Sequence, residues 1–72
     1  MKLRILCASG DETVAEWNET TSEERLDEIE AEFNRRVAMG WFAADVRAEK
    51  NVLIREFDRQ ADILLIPRVQ GG

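Results

Sequence analysis

The sequence closes with Ile66-Pro67-Arg68-Val69-Gln70-Gly71-Gly72. Two adjacent glycines leave the backbone without Cβ atoms, so it can pass close to a nucleotide or a catalytic group in conformations other residues resist. The five residues from Arg68 to Gly72, at about 3.3 Å each, reach roughly 16 Å, enough to thread a narrow channel in another protein. Pro67 restricts the root of that segment and so reduces the entropy lost on threading. The group at the tip is a backbone carboxylate, which becomes an acyl donor once it is converted to an acyl-adenylate. With glycine at about 7% of residues, a terminal pair arises by chance in about 0.5% of chains, which argues for an end that is chemically used.

Little else in the chain offers chemistry. There is no histidine, so the commonest general base and the commonest metal ligand are both missing. Cys7 is the one cysteine; it excludes an internal disulfide or a thiol pair for a metal, and its place between Leu6 and Ala8 reads as a strand residue rather than a nucleophile. Six acids, Glu23, Glu24, Asp27, Glu28, Glu30 and Glu32, crowd one segment. They precede Arg35 and Arg36, and acid before base is the order a helix dipole favours, so a solvated helix face explains them without a cation.

These groups sit in a chain of 72 residues with 44% hydrophobic content, enough for one modest core. The expected organisation is a single domain over 1–67 and a flexible tail over 68–72. Fifteen acidic residues against ten basic give a net charge of −5, which disfavours nucleic acid and anionic lipid as partners. The apolar run near the start is interrupted by Arg4 and is too brief for a signal peptide or a membrane span. A cytoplasmic monomer without bound metal or cofactor is the expectation.

The elements that must position the tail are short. Leu3 to Ala8 alternates as a strand, with Leu3, Ile5 and Cys7 on one face and Lys2, Arg4 and Leu6 on the other. Gly10-Asp11 offers a two-residue hairpin loop, and Thr13 to Trp17 returns as a second strand. Leu26, Ile29, Phe33 and Val37 recur at spacings of three and four, predicting a helix over 22–39 with a capping box at Thr21 and Glu24 and a stop at Gly40. Strands follow at Trp41 to Val46, Val52 to Phe57 and Ile63 to Ile66, the last apolar on consecutive residues as in a strand at the middle of a sheet. Pro67 ends ladder donation. Trp17, Trp41, Phe42 and Phe57 are expected in the core or at its edge.

The order strand, strand, helix, strand, strand, strand resembles the β-grasp fold of ubiquitin and of the small sulfur carriers, an α+β fold written ββαβββ in which a mixed sheet wraps a single helix. The likeness is strongest where the chain reads Ala43-Ala44-Asp45-Val46, then Phe57-Asp58, then Asp62 through Gly72. The end is similar to that of molybdopterin synthase small subunits and of the thiamine-pathway sulfur carrier at Pro67, Val69, Gly71 and Gly72. Arg68 stands where the former carry a second proline, and Gln70 where they carry a small residue; a basic residue before the glycines is closer to ubiquitin.

The resemblance implies that an E1-like adenylating enzyme, using ATP, activates Gly72, and that sulfur or an amine then takes the acyl group. The partners implied are that enzyme and a sulfur-accepting enzyme or target protein, and the chain itself supplies no catalytic group. Arg68, Val69 and Gln70 would be read by the enzyme, together with an apolar patch of Leu6, Leu64 and Ile66 rimmed by Arg4, Arg55 and Arg68 on the sheet face the helix cannot cover. The alternative is a β-grasp interaction module bound noncovalently, its tail chemically idle. A stand-alone enzyme is disfavoured by the lack of a nucleophile motif, phosphate loop or metal-ligand spacing.

Overall fold

Helix formation begins at Ser22, not at Thr21. In the computed structural model, which describes residues 1–47 and 51–68, Ser22 is extended and its hydroxyl accepts the Arg25 N–H at 3.2 Å, satisfying one of the free donors of the first turn. The Thr21 hydroxyl is already engaged, accepting the Asn18 N–H at 2.9 Å and closing the preceding turn. That turn moves the N-cap one residue on to Ser22 and leaves Arg25 at the third helical position, so the expected Thr21–Glu24 capping box does not form. Helix α1 runs Glu23–Ala38 and buries Leu26, Ile29 and Phe33, while Val37 is half-buried against the same core. It stops in a Schellman arrangement. Gly40 N–H reaches Val37 O at 3.0 Å, Trp41 N–H reaches Arg36 O at 3.1 Å, and Gly40 takes the positive φ of 97° that this ending requires.

The strands are β1 (Lys2–Cys7), β2 (Gly10–Glu16), β3 (Phe42–Asp45), β4 (Val52–Ile54) and β5 (Ile63–Ile66). They form one mixed sheet in the order β2-β1-β5-β3-β4. β5 lies parallel to β1 and antiparallel to β3, and the remaining neighbours are antiparallel. The architecture is thus α+β, one helix against one face of a five-stranded sheet, with β5 at the centre as its consecutive apolar residues suggest. Cys7 pairs with Gly10, so the hairpin loop is Ala8-Ser9 and not Gly10-Asp11; Gly10, at φ 114°, opens the returning strand. Val14 is an extra residue between the pairs Leu3–Ala15 and Arg4–Thr13, a β-bulge in the outermost strand.

The core lies between α1 and the facing side of the sheet. Leu3, Ile63, Leu65 and Ala43 meet Leu26, Ile29 and Phe33 there, with Trp17 and Ala61 closing one end. Burying each of the larger side chains contributes about 1.5–3 kcal/mol. Phe57 explains why β4 stops at Ile54 rather than running on to residue 57. Its ring sits 5.3 Å from that of Trp17 and 5.7 Å from that of Phe33, so the chain bends at Arg55-Glu56 to turn it inward.

Candidate functional site

Strand pairing decides what the uncovered face of the sheet presents. Leu65 pairs with Ala43, and Ile63 with Leu3; these face the helix. Because side chains alternate along a strand, Leu64 and Ile66 turn the other way, and each is half-buried. Leu64 has Arg4 beside it on β1 and Ala44 on β3, and beyond Ala44 comes Leu53 on β4. Ile66 has Phe42 beside it. Leu6, next in alternation after Arg4, lies on the same side and is 39% exposed. The open face is therefore an apolar field of Leu6, Leu64, Ile66, Phe42 and Leu53, with the small Ala44 sunk at its middle.

The structure brings together three of the expected patch residues, Leu6, Leu64 and Ile66, and puts Arg4 directly beside them. Arg55 stands at the far side, in the bend after β4. Three inter-strand steps at about 4.8 Å separate β1 from β4, so Arg4 and Arg55 flank the field roughly 14 Å apart. Two contributors are absent from the sequence-based set. Phe42, expected in or near the core, is 56% exposed, and Leu53 is 69% exposed. The alternation Phe42-Ala43-Ala44-Asp45 contains the signal for Phe42, but the pairing with Ile66 is needed to say which side faces out.

The arginines divide into two groups. Arg25 pairs with Glu28, Arg35 and Arg36 with Glu32, Arg47 with Asp45 and Asp58, and Arg59 with Glu23. These pairs hold the Glu23, Glu32 and Asp45 carboxyls below their usual range, chiefly through the hydrogen bonds the guanidiniums donate. Among the described residues, Arg4, Arg55 and Arg68 have no ion-pair partner. Of these, Arg4 and Arg55 border the open apolar face, whereas Arg68 turns toward the end of α1.

Arg68 is the last residue described, two positions after β5 ends, and its exposed side chain crosses the helix terminus. A Cβ placed on Gly40 would lie 3.0 Å from Arg68 Cδ. The guanidinium thereby sits beside the end of α1, where the free carbonyls of the last turn favour positive charge. The expectations for Val69, Gln70, Gly71 and Gly72, including a flexible tail, lie outside the described residues. Among the described residues no helix is long and apolar enough to cross a membrane.

No protein-family model, curated protein or solved structure matches the chain.

Proposed function

We propose that the chain is a ubiquitin-like carrier or modifier of the β-grasp class. Its Gly72 carboxylate is adenylated by a separate E1-like enzyme and then thiocarboxylated or joined to a target amine. The observation that carries this reading is the position of β5. The strand that leads into the diglycine sequence is the central one of the sheet, and it carries Leu64 and Ile66 onto an uncovered apolar face beside Arg4. One partner surface can therefore grip the body and receive the segment that follows. Support also comes from the sheet order, with the first and last strands parallel neighbours and the single helix on one side, which is compatible with a small β-grasp fold.

The chemistry asks little of the chain itself. A carboxylate oxygen of Gly72 attacks the α-phosphorus of ATP held by the enzyme, and pyrophosphate leaves. A sulfur nucleophile or an amine then attacks the activated carbonyl, and AMP departs. The absence of side chains at Gly71 and Gly72 permits the close backbone approach both steps need. The body supplies binding energy remote from the reacting carbon, which positions the carboxylate in line with the phosphate.

The reading requires Gly72 to be the mature carboxy terminus, so the first measurement is the intact mass of the protein isolated from its host. The second is its mass after incubation with ATP and host extract. Exchange of one carboxylate oxygen for sulfur marks a carrier, and attachment to another polypeptide marks a modifier. A variant with one residue appended after Gly72 should show neither. Both products persisting in that variant, or neither forming with the native end, would overturn the proposal in favour of a noncovalent module.

A further inference from the structure

β4 pairs with β3 only from Ala43 onward, Ala43 against Ile54, whereas β3 itself begins one residue earlier at Phe42. The outer edge of Phe42 therefore has no strand beside it among the described residues, because the chain bends away at Arg55 to deliver Phe57 to the core. The gap opens a groove of about 360 Å³ at this corner of the sheet. Phe42 and Leu53 wall it from the open face, Val37, Trp41 and Ile54 from the helix side, and Arg55 closes one end. Trp41 is held in place by the Schellman turn and by Arg36, whose guanidinium carbon lies 4.7 Å from the ring centroid.

We propose that this groove is a second docking site, which takes an extended segment of a partner protein carrying an apolar side chain next to an acidic one. The apolar side chain would enter between Trp41 and Leu53, a volume within the usual range of about 300–1,000 Å³ for a specific pocket. An extended segment suits the groove because it runs on past the end of β4, where Phe42 has no strand neighbour among the described residues. The acid follows from charge: Arg55 lines the groove and Arg68 lies over the neighbouring Gly40, and neither has an ion-pair partner among the described residues. Nucleic acid would also carry negative charge, but the walls are aliphatic and aromatic and the net charge is −5. The groove shares Phe42 and Leu53 with the open face but is not lined by Leu6 or Leu64, and the proposal stands whether or not Gly72 is activated.

The test is selection of phage-displayed random peptides on the full chain, followed by titration of the selected peptides against variants. Selected peptides should carry Asp or Glu beside an apolar residue and should perturb the backbone amides of Phe42, Leu53 and Arg55. Leu53→Asp and Arg55→Glu should each weaken binding by about tenfold or more, as expected at a small anchored site, while Leu64→Asp should leave it unchanged. Leu53 is exposed, so folding of its variant is checked by circular dichroism and is expected to be normal. No enrichment, enriched peptides without acids, binding indifferent to Leu53→Asp and Arg55→Glu, or amide shifts centred on Leu6 and Leu64 would each overturn the proposal. Self-association of the chain through the groove would do the same.

Discussion

The side chain of Arg68 lies against the α-carbon of Gly40, with only 3.0 Å between Arg68 Cδ and the place a methyl group on Gly40 would occupy. Glycine is therefore required there twice, by that contact and by its φ of 97°. Gly40→Ala should destabilise the fold by about 1–2 kcal/mol, mainly through the left-handed backbone. Adding Arg68→Ala should restore only a small part, since a long side chain can move aside. Urea denaturation of the two single variants and the double variant measures the coupling.

Phe33 is the largest side chain that is fully buried, and it forms an edge contact with Phe57. Phe33→Ala should cost about 3–5 kcal/mol by cavity formation. Because a domain of this size holds only about 0.05–0.15 kcal/mol per residue, that loss should remove a large share of its stability, read as a lowered urea midpoint by circular dichroism.

Arg47 ties the end of β3 to the turn at 58–60. It grips the Asp45 carboxylate, reaches Asp58 at 3.4 Å and donates to Gln60 O at 2.6 Å. The Asp45 carboxyl is held below its usual range by the side chain of Arg47 and then by its backbone N–H. A carboxyl lowered in the folded state adds stability above its unfolded pKa, about 3.9, and loses it as pH falls through the lower folded value. Arg47→Gln should therefore be less stable than wild type at neutral pH. The gap should narrow below about pH 4 to the part due to Gln60. Urea melts across pH 2–7 test the sign; a gap that widens in acid contradicts it.

Leu64 and Arg4 stand side by side on the open face. Under the proposed adenylation of Gly72, Leu64→Asp and Arg4→Glu should keep the fold and slow AMP transfer from ATP to Gly72, chiefly through a raised KM, because the lost contacts are remote from the reacting carbon. Pyrophosphate release against carrier concentration gives the split between KM and kcat.

Much of this arrangement is legible in the sequence, and for identifiable reasons. Leu26, Ile29 and Phe33 repeat at the helical period, and the consecutive apolar run Ile63 to Ile66 marks a central strand. Where a hydroxyl had two possible partners, as Thr21 did, local pattern could not choose between helix cap and turn. Phe42 is expected in the core or at its edge because hydrophobicity names a residue without naming its face; its pairing with Ile66 turns it outward. The reach of Phe57 to Trp17 and Phe33, which shortens β4, and the crossing of Arg68 over Gly40 join positions distant in sequence, and no periodicity encodes such meetings. The diglycine pair and the absence of histidine are legible in the sequence itself, and they are the chemical basis of the functional reading.

The bulge at Val14 has a consequence for behaviour at high concentration. It distorts the outermost strand next to Arg4, and Asp11, Glu12 and Glu16 add like charges along that strand. A second molecule that tried to extend the sheet from this margin would meet a bent backbone and mutual repulsion. Sheet-to-sheet association is thereby disfavoured on that flank, so the other margin, at β4, is the one left to pair with a second molecule.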